Sequence, residues 1–250
     1  MILEKLSKKE LERFLDKRVK LLKFRSVDST NTLAKKLVIN GEKMPFLVIT
    51  NKQTAGRGRQ GKNFYSKRNC GIYMTLAVDK DFVSSSAITA AAAVSVATAI
   101  NERCSLDAKI KWVNDIYIES KKASGILCEA VKDTDNNLKG YIIGIGINVG
   151  IKKFPKDIEN IATSIKVKDK NLLAATVINN LLWNLADKDN YFLEKYKDLS
   201  LVLGKEIIYT ENGKEKTAKA VDIDNNGGLI IEENGKNKTL SGGEISVRIM

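Results

Sequence analysis

Leu3, Leu6, Leu11, Phe14 and Leu15 recur at helical spacing among lysines and glutamates, which predicts a short amphipathic helix over residues 2–17. Apolar runs at 21–25 and 46–50 predict strands. Between them, Asp28, Ser29, Thr30 and Asn31 offer N-cap side chains to a helix over 32–38. Further strands are predicted at 71–79, 108–113, 116–118, 125–131 and 141–149, with turns at 121–124 and 135–137. Residues 82–100 carry no charge, but they are mostly Ala, Ser and Thr. That composition predicts a helix over about 84–103 packed closely in a core rather than a membrane span. A leucine-rich stripe through Leu173, Val177, Leu181 and Leu185 predicts one long helix over about 170–199.

Beyond residue 204 the texture changes to short strands broken at Asn212-Gly213, Asn225-Asn226-Gly227-Gly228 and Asn234-Gly235. The fold class is therefore α+β, with a mixed, largely antiparallel sheet, helices, and a small C-terminal β-barrel. The expected division is a unit over 1–200 and a small β unit over 201–250.

Charge and composition narrow the chemistry. The chain has 250 residues, a formal net charge of +12 and no histidine. The charge suggests an anionic ligand or acidic partner, although the lysines are spread out rather than gathered into a nucleic-acid tract. Without histidine, Ser-His-Asp and Cys-His catalysis and histidine-based metal sites are excluded. Arg, Lys, Asp, Asn and backbone groups must do the work, which favours positioning and electrostatic catalysis. Cys70, Cys104 and Cys128 form no C-x-x-C pair, and no secretory signal opens the sequence, so a cytoplasmic protein with reduced thiols is expected.

The stretch Gln53-Thr54-Ala55-Gly56-Arg57-Gly58-Arg59-Gln60-Gly61-Lys62 follows the 46–50 strand. Glycines allow close backbone approach, and guanidinium groups grip carboxylate or phosphate with paired hydrogen bonds. It reads as an anion cradle. It fits G-x-x-x-x-G-K and G-x-G-x-x-G in letters, yet Asn63 stands where a P-loop needs Ser or Thr. Both motifs also need a helix directly afterwards, whereas here a loop and a strand follow. A second polar group, Lys111-Trp112-Val113-Asn114-Asp115, interrupts a strand pair; Lys122 follows on the predicted turn, leaning over the same face.

These pieces, with Gly125-Ile126-Leu127 and Gly144-Ile145-Gly146-Ile147-Asn148, resemble the biotin protein ligases in order and spacing from about 26 to 149. Gly242-Gly243-Glu244-Ile245-Ser246 resembles the closing motif of that family's β domain. The resemblance implies a class II synthetase-like catalytic domain and an SH3-like C-terminal barrel. It implies ATP-dependent activation of biotin to biotinyl-5′-AMP, then transfer to a lysine of a biotin carboxyl carrier protein. ATP and Mg2+ are the implied cofactors, with Asp115 as a metal-associated carboxylate. By motif position, Ser29, Thr30, Asn31, Gln53, Gly56, Arg57, Gly58, Arg59 and Lys122 resemble the biotin-binding residues. Arg57, Gly58, Arg59, Lys62, Phe64, Lys111, Trp112, Asn114, Asp115 and Asn148 resemble the nucleotide-binding set, and Lys122, Arg57 and Arg59 the catalytic one. Gly58 is expected to present its backbone to the ligand.

The chain departs from the pattern at Lys62, where Arg is common, at Phe64, where Trp is common, and at Val113, where Pro is common. With no room before residue 26 for a helix-turn-helix domain, the monofunctional class is expected, without specific DNA binding and without a membrane role. A homodimer through a sheet edge is left open. The alternatives are a lipoate or octanoate protein ligase, and a non-catalytic nucleic-acid-binding module.

Overall fold

The computed structural model describes residues 5–83, 87–211, 213–241 and 247–249. The first helix, α1 (Lys8–Phe14), is shorter than the pattern predicts. Ser7 caps it by accepting from the Glu10 amide, and Leu15 is already extended. Asn171 and Asn179 take the Ser7 and Asp16 amides at 2.8 and 3.0 Å, so both flanks are pinned as extended chain.

Strand β1 (Lys20–Phe24) leads to α2 (Thr30–Ile39), β2 (Phe46–Thr50) and β3 (Gly71–Asp79). Then come α3 (Ile88–Cys104), β4 (Ala108–Lys111), β5 (Asp115–Ile118), β6 (Lys121–Lys132) and β7 (Leu138–Asn148). The strands form one sheet in the order β1-β2-β3-β7-β6-β5-β4, with β1 and β2 parallel and the other pairs antiparallel.

Strand alternation divides this sheet into two faces. Leu47, Ile49, Met74, Leu76, Ile143 and Ile145 join the main core, which includes residues of α1 and α3. Phe46, Val48, Ala77, Val131 and Ile142 form a smaller core with Ala34 and Val38 of α2. Among the described helices, α2 is the one packed on that second face, and it shields only part of it. The rest is open to the loop after β2.

The predicted 170–199 helix is two helices, α4 (Lys170–Ala186) and α5 (Phe192–Leu199). Asp187 is extended and its carboxylate accepts from the Asp189 amide, while Asn190 takes a positive φ of 57°. Local side-chain bonding outcompetes helix continuation there. The expected buried helix is α3, whose small residues Ala91, Ala92, Ala93 and Ala97 are fully buried. Among the described residues no helix is long and apolar enough to cross a membrane.

The C-terminal part is a five-stranded antiparallel sheet of β8 (Glu206–Glu211), β9 (Lys214–Ile223), β10 (Leu229–Glu233), β11 (Lys236–Leu240) and β12 (Val247–Ile249). Asn234 and Gly235 both have positive φ, as a two-residue hairpin requires. The 242–246 motif lies outside the described residues.

Candidate active site

Three glycines on the α2-facing side of the sheet make a floor. Gly125 pairs with Gly146 across β6 and β7, and Leu127 pairs with Gly144. A Cβ on Gly144 would lie 2.0 Å from Asn31 Oδ1, and one on Gly146 would lie 2.6 Å from the Phe64 ring. The missing side chains leave room for a cavity of about 560 Å³, within the usual range for small-molecule sites. Every residue named from the sequence as a site candidate lines it except Gly56. Gly56 instead packs where a Cβ would meet Phe64 O, Ser66 Oγ and Gln53 Nε2 at 2.6, 2.7 and 3.1 Å.

One wall is the start of α2. Ser29 sits at the N-cap without a side-chain cap bond, so capping does not account for its burial. The Thr30 amide and hydroxyl both donate to Gln53 Oε1, at 2.8 and 3.1 Å, and Gln53 Nε2 meets Ser66 Oγ at 2.9 Å. Asn31 is taken up by protein groups. Its amide donates to Leu127 O and to Glu129 Oε2, and its Oδ1 accepts from Thr75. Asn114 and Asn148 are engaged in the same way, through Ile126 O and Thr163 O. Buried amides need partners, so these residues hold the wall's shape.

The basic loop is tied back on itself. The Gly58 amide donates to Lys62 O at 2.7 Å, so it is not offered to the cavity as the motif led us to expect. Phe64 lies against Gly125 and Gly146 and meets Tyr73 edge to face at 6.4 Å. Arg59 reaches Asn114 Oδ1 at 2.9 Å, and Arg57 pairs with Glu129 at 3.4 Å.

The second polar group is a hairpin turn, and the break between the strands falls at 112–114 rather than at 114–115 as the pattern predicts. Trp112, Val113 and Asn114 form the turn between β4 and β5, with a cis peptide between Trp112 and Val113. The buried Trp112 indole donates to Gly227 O at 3.0 Å, fastening this turn to the C-terminal sheet. Lys122 is also not on a turn. The chain reverses at Glu119-Ser120, with Glu119 at φ 55°, and Lys122 belongs to β6. A register shift opposite Ile116 and Tyr117 brings its ammonium to Asp115 at 2.6 Å.

Asp115 is the electrostatic centre, and the single carboxylate among the described lining residues. Burial pulls Lys111 below its ordinary value, with Asp115 opposing. Burial lowers Arg59 likewise, again against Asp115. An anion entering the cavity would offset the burial cost of both cations. Among the described residues no three His, Cys, Asp or Glu side chains gather to hold a metal. A single lining carboxylate, Asp115, does not make a protein-only metal cage.

Several lining groups escaped the sequence reading. Phe154, Ile158 and Ile161 come from the connection after β7, which pairs with β6 through Lys122 N to Ile161 O at 2.9 Å. Arg248 reaches the cavity from β12, and Glu129 stands behind Arg57. Glu129 had a signal, being an acid within an apolar strand run; Arg248 had none.

The model of the Biotin/lipoate A/B protein ligase family matches residues 23–148, and that of the Biotin protein ligase C terminal domain matches 202–248. The bifunctional ligase/repressor BirA of Bacillus subtilis is 31% identical over 234 residues, covering 88% of this chain and 72% of that protein. The biotin–[acetyl-CoA-carboxylase] ligase of Mycobacterium tuberculosis is 24% identical, covering 80% of this chain and 77% of that one. The biotin protein ligase from Aquifex aeolicus, solved in complex with biotin and ATP, superposes with a TM-score of 0.80 at 28% identity, covering 92% of this chain and 99% of that one.

Proposed function

The chain belongs to the biotin/lipoate A/B protein ligase family, and from that membership we infer that it is a biotin protein ligase. It activates biotin with ATP to biotinyl-5′-AMP and transfers biotin to a lysine of a carrier protein. The carrier, on this reading, is the biotin carboxyl carrier domain of a biotin-dependent carboxylase, as the names of its relatives suggest. The division into a catalytic unit over 1–200 and a C-terminal unit over 201–250 belongs to the same reading.

In the first step a biotin carboxylate oxygen attacks the α-phosphorus of ATP and pyrophosphate leaves. The nucleophile is already ionised, so no general base is needed, in keeping with a chain that has no histidine. The task left to the protein is to hold two anions together and to stabilise charge at phosphorus. Lys122, Arg57 and Arg59 are the residues we assign to that task. Ser29, Thr30 and Gln53 would meet the biotin ring system, with Asn31 shaping the wall beneath it. Lys62, Phe64, Lys111, Asn114 and Asn148 would line the nucleotide end, and Trp112 would keep its hairpin in place. Magnesium would enter as MgATP, with Asp115 the nearest carboxylate. In the second step the carrier amine attacks the acyl carbon, AMP leaves, and the amine proton passes to solvent.

The observation that carries this reading is the convergence of Arg57, Arg59, Lys111 and Lys122 on one glycine-floored cavity. The test is ATP–pyrophosphate exchange with biotin, and with lipoate as the control acid. Exchange with biotin alone is expected; exchange with lipoate alone would move the protein to the sister activity.

A further inference from the structure

Glu129 occupies an unusual position. On β6 it lies between Leu127 and Val131 on the face that packs under α2, and Val131 is fully buried. A carboxylate in such a row is costly unless it is paired. Its two oxygens have different partners: Oε2 accepts from Asn31 Nδ2 at 2.8 Å, and Oε1 faces Arg57 Nη2 at 3.4 Å.

The Asn31 side of this arrangement is rigid. Asn31 sits in the first turn of α2, fills the space left by Gly144, and is held by Leu127 O at 3.1 Å and Thr75 Oγ1 at 2.7 Å. On the other side, Arg57 is half exposed on the loop after β2. One carboxylate thus joins a fixed point of the cavity floor to a half-exposed cation at its rim. A guanidinium has five donors in a planar fork, so one edge can rest on Glu129 while the other meets a second anion.

We propose that Glu129 is a positioning residue for the adenylation step: it holds the Arg57 guanidinium over the cavity so that the incoming carboxylate meets an oriented fork. The proposal rests on the reading of the protein as a ligase whose Arg57 meets the ligand anion. Glu129 itself touches no reacting atom.

The test is a double-mutant cycle on biotin-dependent ATP–pyrophosphate exchange, with thermal unfolding alongside. Glu129→Gln keeps an acceptor for Asn31 and removes the charge. It is expected to raise KM for biotin about threefold, the size of a partly exposed ion pair, with kcat changed less. In an Arg57→Ala background the same change should have no further effect. Glu129→Asp, which keeps the charge but withdraws it by one methylene, should fall between wild type and Glu129→Gln. An unchanged KM in Glu129→Gln, or an equal rise with Arg57 already removed, would overturn the proposal. So would a KM in Glu129→Asp above that of Glu129→Gln. Absence of biotin-dependent exchange in the wild type would overturn the ligase reading and this proposal together, and is seen before any variant is compared.

Discussion

The floor and the rim of the cavity recognise a ligand by different physics. The floor, built from Gly125, Gly144, Asn31 and Thr75, is buried and its polar groups are bonded to one another. Its shape is fixed before anything binds. The rim, built from Arg57, Arg59, Lys111 and Lys122, carries charges that rest on Glu129, Asn114 and Asp115. A guanidinium can keep such a partner on one edge and meet a ligand anion on the other, so the rim can take up an anion without losing its own contacts. A rigid floor suits an uncharged ring system; a cationic rim suits a carboxylate and phosphates.

The contrast can be broken most sharply at Lys122. Lys122→Ala should lower kcat/KM for biotin-dependent exchange by roughly 10²–10³-fold, the usual effect of losing one charge-stabilising donor, with the floor intact. Equal exchange in mutant and wild type would remove the rim from the chemistry. Gly144→Ala tests the floor from the other side. Its Cβ would press on an Asn31 amide that cannot move away, so urea unfolding should report a loss of about 2 kcal/mol, with weaker biotin binding by calorimetry. Wild-type stability there would mean that the floor yields and is not a template.

Thr75→Val is milder. It keeps the volume but leaves Asn31 Oδ1 without its buried donor, a loss of about 1–2 kcal/mol in the same unfolding experiment. The smallest change in stability belongs to Arg57→Ala. Its half-exposed ion pair should shift unfolding by no more than about 0.5 kcal/mol. Biotin affinity should still fall several-fold, and a rim variant that altered stability more than affinity would erase the distinction.

Much of this was legible in the chain. Strand runs such as 46–50 and 71–78 are largely apolar segments buried on both faces, so their existence depends little on context. The basic loop and the Lys111–Asp115 group also announced themselves, because polarity and glycine at such positions have few structural uses. Boundaries were less legible. The helix over 170–199 broke at Asp187-Lys188-Asp189-Asn190, where short-range side-chain bonding won over a favourable apolar stripe.

What the sequence by itself determined was the inventory: a histidine-free set of cations, three glycines at even spacing on paired strands, and the apolar periods that build the sheet. What only the tertiary structure decided was the use of each group. Strand register placed Lys122 on Asp115 rather than on a turn, because a bulge shifts one strand against the other. Loop closure turned the Gly58 amide inward to Lys62. Packing of α2 on β6 joined Glu129 to Asn31, which are 98 residues apart. Local pattern fixes which face a residue can point to; its partner across that face depends on contacts distant in the chain, and no local pattern encodes those.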